Sequence, residues 1–193
     1  MKKWKNKELG LLSLEASISL TIFIFLMLFM YSFFVVFEAR NEMAHLVLST
    51  ANSMALDTYS SNTFEKSNSV AKFIYDIYDT VANDNSAFTD TREWYVTSEV
   101  EGTTVQNKDF LDVVEQRFLA YLTDGNLEKA DEILKYYHVV GGKEGLDFTG
   151  SYVSGDNLYV RVTYTIEYEF NMFGLGTLKM EQSACSKLWK QGG

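Results

Sequence analysis

Twenty-two consecutive residues, Ala16 to Phe37 (ASISLTIFIFLMLFMYSFFVVF), carry no charge. Wound as an α-helix at about 1.5 Å per residue they extend roughly 33 Å, just more than the ~30 Å hydrocarbon core of a bilayer. A helix in a soluble core is seldom apolar on every face over such a length, and a cleavable secretory signal has an apolar stretch of only about 7–15 residues. The run therefore predicts a membrane-spanning helix. Ahead of it, Lys2, Lys3, Lys5 and Lys7 stand against the single acid Glu8, while Glu38, Arg40 and Glu42 follow it. Short basic flanks stay on the cytoplasmic side. The expected topology is single-pass in the cell membrane, with the N terminus cytoplasmic and everything after about residue 40 extracytoplasmic.

Composition excludes several kinds of function. The chain of 193 residues has a formal charge of −9, one cysteine, two histidines and no proline. One cysteine cannot build a disulfide framework, and two histidines with it cannot build a zinc cage, which leaves carboxylates as the only plausible metal donors. An acidic chain lacks the basic patch that displaces counterions from nucleic acid, so no nucleic-acid partner is expected. Outside the membrane Cys185 would stay unpaired or pair between chains, though a small residue on a strand explains it as well.

Glu15 is out of keeping with a plain anchor, because a carboxylate costs up to about 2.5–3.5 kcal/mol at the centre of a bilayer helix and less near its edge. Solvation among the headgroups would be one remedy. Gly10 directly precedes Leu11-Leu12-Ser13-Leu14-Glu15, so a cut after Gly10 would create a hydrophobic terminus with a carboxylate as its fifth residue. This arrangement resembles the N terminus of type IV pilin-like proteins, and Leu14-Glu15-Ala16-Ser17 with its apolar continuation looks most like the TadE-type pseudopilins of tight-adherence pili. The closing segment from Gln182 to Trp189 is also similar to the last strand of that family. The proline that such chains usually carry several residues into the span is absent here; the corresponding place is near Thr21.

The resemblance implies cleavage after Gly10 by a prepilin peptidase, with the lysines holding the leader in the cytosol. It also implies that Glu15 neutralises the new amine of Leu11 on a neighbouring subunit, in a pilus or on its assembly platform. Within one chain the amine and carboxylate, four residues apart on a helix, can equally approach each other. The alternative function, from another class, is a membrane-anchored extracytoplasmic binding or sensing domain whose Glu15 is incidental.

Beyond the span, Met43, Leu46, Val47, Ala51, Met54, Ala55 and Tyr59 recur at mostly three- and four-residue steps, so the helix should run from about Leu12 to Ser60 and end at Ser60-Ser61-Asn62-Thr63. His45 on this stretch has no nearby partner for ligation. A helical pattern returns over 68–82, and 83–92 is a polar loop. Asp84 and Asp90 in that loop match no calcium-binding EF-hand spacing. A short strand is expected within Glu93 to Val105, around Trp94, Tyr95 and Val96, then a helix capped by Asn107 and carrying Phe110, Val114, Phe118, Tyr121 and Leu122. Asp124-Gly125-Asn126 should end it and begin a second helix through Leu127 to Tyr137, giving a helical hairpin.

Gly141-Gly142-Lys143 lacks the remaining elements of a phosphate loop and reads as a turn. Leu158, Val160, Val162, Tyr164, Ile166, Tyr168 and Phe170 alternate with polar neighbours, the period of a half-buried strand. Turns at Gly155-Asp156-Asn157 and Gly174 to Gly176 should join it to strands near Phe148–Val153 and Thr177–Leu188.

The expected fold class is α+β: a long N-terminal transmembrane helix leading to helices packed on a C-terminal three-stranded antiparallel sheet. The expected domains are a basic leader (1–10), a transmembrane and extended helix (11–60) and an extracytoplasmic domain (61–193). Glu167 and Glu169 share a strand face with Arg161 and threonines, and His138 lies at a helix end, where the dipole explains it. No nucleophile–base–acid spacing suggests an enzyme, and no cofactor or metal is implied. The partners expected are the membrane, the peptidase and other pilin-like subunits.

Overall fold

The computed structural model describes residues 2–65, 94–95, 98–100, 103–168 and 176–188. Helix α1 (Lys2–Glu65) is continuous over 64 residues, about 96 Å at 1.5 Å per residue. It starts ten residues before the expected Leu12 and runs past the expected break at Ser60–Thr63. The reasons are local. Lysine, glutamate and leucine dominate the first turns, and Gly10 alone costs only about 1 kcal/mol. Serine, asparagine and threonine lower propensity by roughly half a kcal/mol each, and without glycine or proline they do not stop a helix already formed.

Residues Ser98–Val100 (β1) and Thr103–Val105 (β2) make a small antiparallel hairpin, so the single strand expected there is two. Trp94 and Tyr95, expected at the centre of that strand, lie instead in a turn before the hairpin, where the Trp94 ring is buried in the core. Helix α2 (Phe110–Thr123) follows. Its cap position is Asp109 rather than Asn107, but Asn107 Oδ1 accepts a hydrogen bond from the Asp109 N–H at 3.0 Å. Asp124 (φ 51°) and Gly125 (φ 85°) end α2 in the left-handed region, as the sequence predicts. A 3₁₀ turn (Leu127–Lys129) then leads into α3 (Ala130–Tyr136). The turn at Gly141-Gly142-Lys143 opens a second 3₁₀ turn (Gly142–Gly145).

Strands β3 (Tyr152–Ser154), β4 (Asn157–Glu167) and β5 (Thr177–Lys187) form the expected antiparallel meander in the order β3-β4-β5. Gly155 (φ 58°) occupies the first place of the two-residue β3–β4 connection, where a II′ turn requires glycine. The short edge strand β3 is completed by a side chain. Gln106 Nε2 donates to the Val153 carbonyl at 3.0 Å, and the Val153 N–H donates back to Gln106 Oε1 at 3.1 Å.

Leu158, Val160, Val162, Tyr164 and Ile166 are all buried, so the two-residue period of β4 is borne out over the described residues. Their cover differs from expectation. The C-terminal half of α1 lies along β4 and β5, and α2 packs on α1. A strand of 11 residues needs a long apolar stripe over it, and α1 supplies one through Val36, Ala39, Met43, Val47, Ala51 and Met54. Its alanines let the backbones approach closely. Phe118 of α2 meets Phe148 edge-on at 5.2 Å, and Trp94 packs against Phe110 at 6.0 Å, closing the core. The helix expected over 68–82, the loop over 83–92 with Asp84 and Asp90, and Tyr59, Glu169, Phe170, Gly174 and Trp189 lie outside the residues or side chains described.

Candidate functional site

Along α1 every described side chain from Ser13 to Leu28 is exposed, and the first buried one is Ser32. The segment Ser13–Thr58 is long and apolar enough, by length and composition, to cross a bilayer. Two hydroxyls on its exposed part are satisfied within the helix: Ser17 Oγ donates to the Ser13 carbonyl at 2.9 Å and Thr21 Oγ1 to the Ser17 carbonyl at 2.8 Å. Such back-bonding lets a hydroxyl sit on an apolar helix without a water partner.

Glu15 is exposed on this half of α1. Among the described residues no basic side chain forms an ion pair with it. Leu11 and Glu15 stand four helical residues apart, about 6 Å along the axis, so the structure brings the two positions into one turn. While the chain is intact the Leu11 nitrogen is a backbone amide and offers no charge. Gly10 lies inside α1, with the helix continuing on both sides, and Lys2, Lys3, Lys5 and Lys7 occupy its first two turns.

A second charged group, missed by sequence reasoning, fastens α1 to the rest of the fold. Arg117 of α2 is 1% exposed; its Nη2 meets Asp57 Oδ2 at 2.7 Å and its Nη1 donates to Ser53 Oγ at 2.7 Å. A further contact from Nη1 to Asp57 Oδ1 at 3.3 Å makes the pair bidentate. Ser53 and Asp57 are one turn apart on α1, which presents both to one guanidinium. The available signal was a cation on the apolar face of α2 and an acid on the apolar stripe of α1.

Burial first, then the Glu42 and Glu38 carboxylates of α1, push the Tyr137 phenol up. Burial also raises Tyr164, opposed by the nearby Gln182 and Arg40. On the opposite face of the sheet Tyr152 stacks on Tyr159 with ring centres 4.6 Å apart, and Cys185, paired with Tyr159 across the strands, pushes that phenol up. Cys185 is an exposed free thiol. His45 and Glu167 are exposed, and the His138 carbonyl accepts the Glu167 N–H at 2.9 Å. Among the described residues no three His, Cys, Asp or Glu side chains come together as a metal site.

Comparison with protein-family models, curated proteins and solved structures finds no match to this chain.

Proposed function

We propose that the chain is a pilin-like, TadE-type membrane subunit of a type IV-like pilus or secretion assembly, processed after Gly10 by a prepilin peptidase. The observation that carries this reading is the division of α1. From Ser13 to Leu28 it is an apolar rod exposed on all sides, and its C-terminal half is built into an α+β domain. An exposed apolar half needs lipid or other helices around it, whereas the other half holds the domain outside. The basic first turns orient the helix with its N terminus in the cytoplasm.

Processing changes the chemistry of Glu15. Cleavage after Gly10 turns the Leu11 amide into a cationic amine one turn from the carboxylate, and pairing of that amine with Glu15 of a neighbour would offset the cost of both charges near lipid. Glycine loses the most entropy on entering a helix, so α1 opens at Gly10 more readily than at the residues around it. That opening gives a peptidase the extended backbone it needs.

Intact mass of the membrane fraction tests the reading. The expected mature protein lacks Met1–Gly10, and Gly10→Ala should leave the longer precursor. Glu15→Ala should be processed normally but fail to co-assemble, and Glu15→Gln, which keeps the shape and removes the charge, should fail too. A protein that keeps its basic decapeptide when a prepilin peptidase is supplied is instead an anchored extracytoplasmic binding or sensing domain.

A further inference from the structure

Two features of α1 overlap. The uncharged run continues to Phe37, yet the domain already covers Ser32 (3% exposed) and Val36 (8%). At the same height Phe34 and Phe37 are 64% and 47% exposed on the other sides of the helix. Span and domain therefore share about 9 Å of α1.

Strand direction identifies the part of the domain at that height. Ser186 Oγ donates to Asn52 Oδ1 at 3.2 Å. Tyr164, opposite Met180 on β5, lies close enough to Arg40 for the guanidinium to act on its phenol. Met180 to Ser186 rises about 20 Å at 3.3 Å per residue, and Arg40 to Asn52 about 18 Å at 1.5 Å, so β5 and α1 ascend together. Two residues back from Met180, Leu178 is about 7 Å lower, level with Val36. Leu178 pairs with Ile166, which bridges to Val139 on its other side. Leu178 and Val140 thus flank the same end of β4. They are 36% and 43% exposed, and Tyr136 on the same side of the fold, next to the phenol that faces Glu38 and Glu42, is 65% exposed.

We propose that this end of the external domain is a lipid-contacting rim: Leu178, Val140 and Tyr136 rest on the outer leaflet at the depth where Phe34 and Phe37 meet it. The proposal rests on the membrane-spanning orientation given above. It survives either placement of the helix. If hydrocarbon extends to Phe37, the rim lies at its edge. If it ends at Tyr31, after about 28 Å of exposed helix from Ser13, the rim is roughly 7 Å higher, within the headgroup layer that adds about 5–8 Å on each side. Aromatic residues with a polar tip, such as Tyr136, favour that layer. The rim also continues the exposed apolar surface of α1 without a gap in height.

Site-specific fluorophores on the full chain in phospholipid nanodiscs test this. Native Cys185 lies seven residues along β5 from Leu178, about 23 Å higher, and serves as the exposed control. Leu178→Cys and Val140→Cys, each with Cys185→Ser, report the rim, and Phe25→Cys with Cys185→Ser reports the span. The expected result is several-fold stronger quenching of both rim labels by lipid-borne nitroxide, and several-fold weaker quenching by iodide, than of the Cys185 label. Rim labels as open to iodide as Cys185, with the Phe25→Cys label still lipid-quenched, would overturn the rim and leave the span intact. Protection from both quenchers would mean that a second protein surface covers the rim, which also overturns it. A Phe25→Cys label untouched by lipid quencher would remove the span and the rim together.

Discussion

Arg117 and Asp57 form the contact whose loss should be felt most. Desolvating each ion costs several kcal/mol, which the bidentate geometry and the Ser53 hydroxyl offset. Asp57→Ala should destabilise the fold by about 3–5 kcal/mol, because it strands a buried cation. Replacing both partners, Arg117→Met with Asp57→Leu, should recover most of that loss, as read by denaturant unfolding in detergent. Asp147 offers a smaller effect. Hydrogen bonds from the Thr149 hydroxyl (2.6 Å) and N–H (2.9 Å) hold its carboxyl below the ordinary 3.8, with Lys179 assisting. A depressed folded pKa means that this contribution is present above pH 3.8 and is lost as the pH falls through the lower folded value. Solvent keeps it under about 1 kcal/mol, and Asp147→Asn should flatten the acid limb of a stability–pH curve.

Strand β4 was legible from its alternation because one face is buried and one is not, a contrast that a two-residue period records directly. The stripe on α1 from Met43 to Ala55 was legible for the same reason at helical spacing. Helix ends were not, since a cluster of Ser, Asn and Thr around residue 61 is only a weak stop signal. The choice of α1 over the α2–α3 hairpin as cover for the sheet depends on which long stripes meet, as does the pairing of Arg117 with an acid 60 residues away. Neither is a local property. Glu15 was visible as an anomaly of type and place, and the fold puts it where that anomaly persists, exposed on an apolar rod. The turn after α3 supplies a test of its own. A methyl group added at Gly145 would collide with the Val140 carbonyl, which is backbone and cannot step aside. Gly145→Ala should therefore lower the unfolding midpoint markedly, whereas Gly155→Ala meets no neighbouring atom and should cost only the backbone strain of φ at 58°, about 1–3 kcal/mol.

Taken as one body, the chain is a rod with its globular part fastened along the outer half. The proposed topology predicts that a membrane-impermeant maleimide applied to intact cells will label Cys185, whereas Asn6→Cys with Cys185→Ser, carried on the Gly10→Ala precursor that keeps its leader, will react only after the membrane is opened. Equal labelling at both positions would reverse or abolish the orientation argued from the lysines. The unbroken course of α1 has one more consequence. Backbone hydrogen bonds fix each residue of a helix in angle as well as in height, and the 17 steps from Glu15 to Ser32 leave that carboxylate about 100° around the axis from the side that bears the domain. The two ends are cut like a key: the compass bearing of the bow is set by whatever the bit engages. In the proposed assembly, the direction each globular body faces would be decided at the far end, by the neighbour on which Glu15 is proposed to seat.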